Sequence, residues 1–357
     1  MATTESSTSA PHIAVFGAGS WGTALAMSLV EQGHRTTLWA RRPEAIQAMR
    51  ETRRNAPYLP KAELPPALRL SHDLPAVARD HTLWVVATPS HAVRALAEQL
   101  APHAAPGTVV VSVAKGIEND TLLTMTDVLA ETLPTVPEQQ LVALYGPSHA
   151  EEVADRRPTT LVAAARSAAV AEVVQQVFMS PRLRVYANDD VRGVEIGGSV
   201  KNVLAIAAGI GDGIGYGDNA KAALITRGIA EIQRLGIALG AQPRTFTGLT
   251  GMGDLVVTCM SSHSRNRHVG EQIGRGHALD DITRNMQMVA EGIRTTESTY
   301  QLAQRENIEM PITEAVHAVL FKQKDPTIAV EELMTRSAKH EDWLPDELQQ
   351  AVGTPPQ

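Results

Sequence analysis

The sequence predicts an α/β protein in two parts: a doubly wound parallel sheet covered by helices on both faces, then an all-helical part. Three observations predict it. From residue 12 to about 189, short apolar runs alternate with stretches of helical period. The pattern Gly17-x-Gly19-x-x-Gly22 stands between the first apolar run and the first helical stretch. From residue 191 to about 336 almost only helical periodicity remains. Continuous apolar strands alternating with helices belong to parallel sheets buried on both faces.

Taken in order, "PHIAVFGAGS" is a strand that stops at glycine, and "SWGTALAMSLVEQG" is a helix with Trp21, Leu25 and Leu29 on one face and a stop at Gly33. "RTTLWARR" is the second strand, and "PEAIQAMRETRR" a helix with Pro43 at its start. "NAPYLPKAELPPALRL" carries four prolines and is expected to be irregular. "HTLWVVATPS", "GTVVVSVAKG", "QLVALYGPS", "TTLVAAA" and "LRVYAND" are further strands. The helical stretches "HAVRALAEQLAP", "DTLLTMTDVLAETL", "HAEEVA" and "AAVAEVVQQVF" stand between them.

Length and composition bound the function. A chain of 357 residues exceeds what one core ordinarily serves, so two domains are expected, at 11–190 and 191–342, between polar tails at 1–10 and 343–357. A net charge of −7 argues against a nucleic-acid partner, which needs a basic footprint. The single cysteine, Cys259, permits no disulfide within the chain and fits a reducing compartment. "MATTESSTSA" lacks the basic and apolar segments of a signal peptide, and no apolar run is expected to reach the ~18 residues of a membrane helix. A soluble cytoplasmic protein is the expectation.

The glycine pattern gains meaning from its place between strand and helix. Gly17 permits a tight turn, Gly19 lets a pyrophosphate approach the backbone, and Gly22 lets helix and strand pack closely. The second strand ends in Ala40, Arg41 and Arg42, where an NAD-selective protein usually places a carboxylate for the ribose 2′-hydroxyl. Nothing there repels a 2′-phosphate, and two guanidiniums stand ready for one. NADP(H) is therefore expected to be accepted alongside NAD(H). The plainer reading, a surface turn capped by two arginines, stays open.

Ligands of doubly wound sheets bind beyond the carboxyl ends of the strands. There the sequence places Thr88, Pro89 and Ser90, then Lys115 and Gly116, then Gly146, Pro147, Ser148 and His149. Lys115 is the only full charge among these groups. The helical part adds Lys201 and Asn202 in an apolar, small-residue segment, and Asp254 and Thr258 in "TGLTGMGDLVVTC". It also adds Ser264, Arg265 and Asn266 at a predicted helix start, a favourable place for phosphate, and Glu291 in an expected loop. The glycines of "AAGIGDGIGYGDN" suggest close backbone approach or a mobile loop. No His, Cys or carboxylate spacing suggests a metal site.

These segments together resemble the bacterial-type NAD(P)-dependent glycerol-3-phosphate dehydrogenase. The likeness rests on "FGAGSWGTALA", "AKGIE", "YGPSHAEEVA", "GGSVKNVLAIAAGIGDGIGYGDNAK", "TGMGDLVVTC", "SRNR" and "VAEGIRTT", and runs from residue 12 to about 341. It implies a Rossmann domain, a helical substrate domain, and reversible reduction of dihydroxyacetone phosphate to sn-glycerol 3-phosphate. By this resemblance Lys201 is the proton acceptor and donor. Lys115, Gly146, Ser148, Asp254, Ser264, Arg265 and Asn266 contact the substrate. Ser20, Trp21, Arg41, Arg42, Lys115, Ala150, Arg265, Val289 and Glu291 contact the cofactor, while His149 carries no role. A homodimer and a supply of glycerol phosphate for phospholipids are also implied only by the resemblance.

The residues themselves lead to the same lysine. A free lysine titrates at ~10.4, too high for a base at neutral pH. Apolar surroundings and a second cation such as Lys115 lower that value, whereas Asp254 or a bound phosphate raises it. Asp254 itself could orient Lys201, accept a substrate hydroxyl or cap a helix. Two rival readings share the architecture: a hydroxyacid dehydrogenase of the 6-phosphogluconate type, and a non-catalytic NADPH sensor.

Overall fold

The computed structural model describes residues 12–338 except 285 and 287, so both expected tails lie outside the described residues. The chain alternates β1 (Ile13–Phe16), α1 (Ser20–Glu31), β2 (Thr36–Trp39) and α2 (Pro43–Thr52). The proline-rich stretch corrects the expectation of irregular chain. It folds as β3 (Arg54–Asn55) and β4 (Leu59–Glu63), an antiparallel pair, and then β5 (Arg69–Ser71), which joins the main sheet beside β2. Prolines are tolerated at edges because little of the ladder depends on their missing N–H.

Next come α3 (Leu74–Asp80), β6 (Leu83–Val86), α4 (Val93–Leu100), β7 (Val109–Ser112), α5 (Met125–Thr132) and β8 (Leu141–Tyr145). They are followed by α6 (Ala150–Ala154), β9 (Thr159–Ala165), α7 (Ala168–Phe178) and β10 (Leu183–Asn188). The eight-stranded order is β10-β9-β8-β7-β6-β1-β2-β5. The sheet is not wholly parallel as expected, for β9 runs antiparallel to β8. The intervening α6 has only five residues, a rise of about 7.5 Å, too short to carry the chain back past β8 for a parallel crossover. β9 therefore starts at the edge where β8 ends.

All described elements beyond β10 are helical: α8 (Val191–Ile214), α9 (Asp218–Ala238), α10 (Pro243–Phe246), α11 (Asp254–Met260) and α12 (Arg265–Gly274), then α13 (Leu279–Arg284), α14 (Glu291–Arg305), α15 (Pro311–Phe321) and α16 (Pro326–Met334). Their core gathers on α8, around Ile196, Val200, Leu204 and Ile206. Asp190 starts α8 by accepting the Gly193 N–H at 2.9 Å, and Gly215, at φ 95°, ends it.

α8 bears on two expectations. Its 24 residues contain a window of mean hydropathy 1.2, so by length and composition it could cross a membrane, yet 94% of that window is buried inside the protein. It also runs through Gly209, Gly211 and Gly213 and ends at Gly215, so the first three glycines of the run are helical and not a loop, with Gly209 and Gly213 serving close backbone approach. A Cβ on Gly209 would lie 2.0 Å from the Arg267 carbonyl oxygen of α12, and one on Gly270 of α12 would lie 2.0 Å from that of Ile206. Bare backbone on both helices lets them approach closely, and this sets the start of α12 beside the middle of α8.

Candidate active site

The sheet reverses its strand order between β1 and β6, and the crevice beyond that point is the expected ligand position. The Gly17 turn sits there with φ 123°, and a Cβ would fall 2.6 Å from the Ala87 carbonyl oxygen at the end of β6. A Cβ on Gly22 would fall 2.0 Å from the Gly17 oxygen, so this glycine does bring helix against strand. At Gly19 nothing lies within 4 Å, leaving the backbone before α1 open to a ligand. That opening and the unpaired N–H groups of the helix start fit a dinucleotide pyrophosphate.

A cavity of about 300 Å³ extends from this turn to the helical part. Its wall brings together Gly19, Ser20, Trp21, Lys115, Ser148, Ala150, Lys201, Asp254, Ser264, Arg265, Asn266, Val289 and Glu291. Gly17, Gly22, Arg41, Arg42 and Gly146 are not part of that wall. Gly17 and Gly22 shape the turn from behind. Gly146 turns its carbonyl to the Lys115 ammonium at 2.8 Å. Arg41 and Arg42 are exposed where β2 ends, with Arg42 preceding the first residue of α2.

Lys201 is 6% exposed on α8 and Asp254, 1% exposed, opens α11. The ammonium donates to Asp254 Oδ1 at 2.8 Å and to Thr258 Oγ1 at 2.6 Å. Thr258 lies one helical turn beyond Asp254 and donates in turn to the Asp254 carbonyl at 2.6 Å. Lys115, arriving after β7, donates to Asp254 Oδ2 at 2.7 Å. One carboxylate thus holds two ammoniums, one from each part of the molecule. Of the three roles open to Asp254, helix capping falls away, for its side chain accepts no cap bond of α11, while its bond to Lys201 fits the orienting role. A single π-helical turn, Leu249–Gly253, leads into it.

Burial brings the Lys201 ammonium down to about 8, helped by Lys115 and opposed by Asp254. Burial alone would push the Asp254 carboxyl up, but Lys115 and Lys201 hold it below its ordinary value. Burial pushes the Cys259 thiol up to about 12, so this cysteine packs as a neutral group.

Ser264 caps α12 as expected, accepting the Arg267 N–H at 3.2 Å. Arg265 donates to the Val289 carbonyl at 2.9 Å, and Asn266 is tied on both sides, donating to Asn202 Oδ1 and accepting the Gly292 N–H, each at 2.9 Å. Glu291 departs from the expected loop and is the first residue of α14, where its carboxylate accepts the Ser90 N–H at 3.0 Å and the Ser90 hydroxyl.

The sequence names Thr258, Asn202 and His149 without a role and passes over His263, and all four line the cavity. Thr258 was recognisable from its four-residue spacing after Asp254. Asn202 adjoins Lys201, but its partner Asn266 is a tertiary neighbour. His149 and His263 both line the cavity with ring centroids 5.6 Å apart, a contact with no signal in the chain.

A glycine turn at the switch point of a doubly wound sheet, facing a buried lysine with a lowered titration point, defines a dinucleotide-dependent oxidoreductase. Sequence profiles described as the N-terminus and the C-terminus of NAD-dependent glycerol-3-phosphate dehydrogenase match residues 12–171 and 190–331. A glycerol-3-phosphate dehydrogenase (NAD(P)+) 2 of Salinibacter ruber is 63% identical over 94% of this chain and 98% of its own. A glycerol-3-phosphate dehydrogenase (NAD(P)+) of Geobacter sulfurreducens is 52% identical over 93% and 99%. The crystal structure of glycerol-3-phosphate dehydrogenase from Coxiella burnetii superposes with a TM-score of 0.88, at 38% identity over 92% of this chain and 99% of that one. The chain belongs to the NAD-dependent glycerol-3-phosphate dehydrogenase family. Both rival readings, the 6-phosphogluconate type and the binding-only sensor, give way to it.

Proposed function

We propose that this protein transfers hydride reversibly between NAD(P)H and dihydroxyacetone phosphate, giving sn-glycerol 3-phosphate, with Lys201 as proton donor and acceptor. The observation that carries the assignment is the buried Lys201 ammonium, held by Asp254 and Thr258 inside the cavity that the glycine turn opens into. In this reading residues 11–190 hold the cofactor and residues 191–342 the substrate.

Gly19, Ser20 and Trp21 would hold the cofactor at the start of α1, with Ala150, Val289 and Glu291 along the same wall and Arg41 and Arg42 toward a 2′-phosphate. The nicotinamide supplies the hydride when bound. Lys201 donates a hydrogen bond to the substrate ketone oxygen and polarises the carbonyl. As the carbon gains hydride, the oxygen becomes an alkoxide and takes the Lys201 proton, leaving a neutral amine. In the oxidation the amine takes the alcohol proton. Asp254 keeps Lys201 aimed and balances the charge of Lys115, which reaches the substrate with Ser148. Ser264, Arg265 and Asn266 grip the phosphate, and that remote binding orients the ketone.

The same reading carries a soluble cytoplasmic homodimer that feeds phospholipid synthesis; sedimentation would check the dimer. The direct test is loss of reduced-nicotinamide absorbance with dihydroxyacetone phosphate, run with NADPH and NADH in parallel. Turnover with the phosphate ester and very poor turnover with unphosphorylated dihydroxyacetone is the expected result. Binding of either cofactor without turnover would overturn the assignment.

A further inference from the structure

Two glutamates of the helical part grip the sheet-bearing part in the same way. Glu195 on α8 accepts the Thr126 backbone N–H at 2.8 Å with one oxygen and the Thr126 hydroxyl with the other. Glu291 does the same to Ser90, backbone at 3.0 Å and hydroxyl. Thr126 lies in the first turn of α5, and Ser90 opens the turn that leads into α4. Both helices begin at the carboxyl edge of the sheet, one before β7 and one after it, where free N–H groups and the helix dipole favour a carboxylate. β7 is the strand that delivers Lys115.

Ser90 is also seated against that strand's exit, since a Cβ on Gly116 would lie 2.5 Å from the Ser90 Cβ. Arg192, three residues before Glu195 on α8, pairs with Asp127 of α5 at 2.6 Å. Glu195 is 1% exposed and does not line the cavity, so it acts on the chemistry only through other residues.

We infer that Glu195 and Glu291 are positioning residues: through Thr126 and Ser90 they lock the two parts on either side of β7, so that Lys115 from one part and Lys201 from the other reach the same Asp254 carboxylate. The inference rests on Lys201 being the proton donor. Lys201 is faced by Asp254 and Cys259 of α11, by Lys115 after β7 and by His149 before α6. Loosening the lock lets Lys115 retreat, which removes a repulsion from Lys201 and frees Asp254 to serve it alone. Both changes raise the pH at which Lys201 loses its proton.

The experiment compares the pH dependence of kcat/KM for ketone reduction in the wild type, Glu195→Ala, Glu195→Gln and Glu231→Ala. Glu231 is the control: it makes an equivalent buried grip on the backbone of Ile312 and Thr313 at the start of α15, wholly within the helical part. Glu195→Ala is expected to lose about 10-fold to 100-fold in kcat/KM and to move the alkaline limb to higher pH, with Glu195→Gln restoring most of both. Glu231→Ala is expected to lose stability and keep the wild-type profile. Should Glu195→Ala not fold, Thr126→Val and Ser90→Ala remove only the hydroxyl half of each grip and should shift the limb in the same direction. A folded Glu195→Ala, or these two variants, with an unmoved limb and wild-type kcat/KM would overturn the inference alone. A wild type with no limb near pH 8 would overturn the proton-donor assignment beneath it.

Discussion

Lys115 and Lys201 donate to opposite oxygens of one buried carboxylate, at 2.7 Å and 2.8 Å, although they come from the sheet and from the central helix respectively. A pair of ammoniums so placed would repel strongly in a low dielectric without Asp254 between them. The arrangement fits the proposed role of a lysine in the apolar wall of α8: burial lowers its proton affinity, and Asp254 raises it in part.

In the proposed reaction Lys201 sets the direction of the pH dependence. Reduction needs the ammonium, so kcat/KM for dihydroxyacetone phosphate is expected to fall as pH rises through about 8. Oxidation needs the amine, so kcat/KM for glycerol 3-phosphate should rise through the same region. Lys201→Met should abolish most of kcat in both directions while NADPH binding persists; a folded variant with near-normal turnover rules out the role.

Asp254→Asn removes the group that raises the Lys201 proton affinity and leaves the buried Lys201 facing the partly buried Lys115. The alkaline limb of the reduction should move to lower pH, with kcat/KM down by about 100-fold or more. Breaking a buried pair by removing one partner costs about 3–5 kcal/mol, which thermal unfolding should register.

Arg41→Glu tests the cofactor contact. The substitution places a carboxylate where β2 ends, the position that favours a ribose 2′-hydroxyl and repels a 2′-phosphate. KM for NADPH is expected to rise about 10-fold, the loss of a charge-assisted contact, with KM for NADH little changed. Equal effects on both cofactors would assign the arginines to the surface turn alone.

Glu231 predicts a stability profile. Burial raises its carboxyl to about 7 against bonds from Ile312 and Thr313 that lower it. A carboxyl raised on folding stabilises below its unfolded value and loses that contribution as pH climbs toward the folded one. Between roughly pH 4.5 and 7 this amounts to about 3 kcal/mol lost. Glu231→Gln should flatten this part of the profile in urea titrations across that range.

Gly270→Ala tests the close approach of α8 and α12. The added methyl would meet the Ile206 carbonyl at 2.0 Å and the Ile210 nitrogen at 2.9 Å, both backbone, which cannot rotate away. Forcing the helices apart should cost about 1–3 kcal/mol. It also moves Ser264, Arg265 and Asn266 relative to Lys201, so substrate KM should rise more than kcat falls.

The chain by itself determined the parts of this protein that depend on local periodicity and on unusual residues in strong contexts. Apolar runs marked all the central strands. The glycine turn was legible from its place between a strand and a helix, and Ser264 as a cap from the helical spacing that follows it. Lys201 stood out because an ammonium in an apolar helix demands a reason. Tertiary structure decided the rest. The antiparallel turn of β9, the strands hidden among four prolines and the passage of α8 through its glycines depend on what each segment packs against. The shared Asp254 carboxylate and the two glutamate grips join residues tens to hundreds of positions apart in sequence. Such bonds form only where folding excludes water and leaves a buried charge no nearer partner, a condition that no local stretch of sequence records.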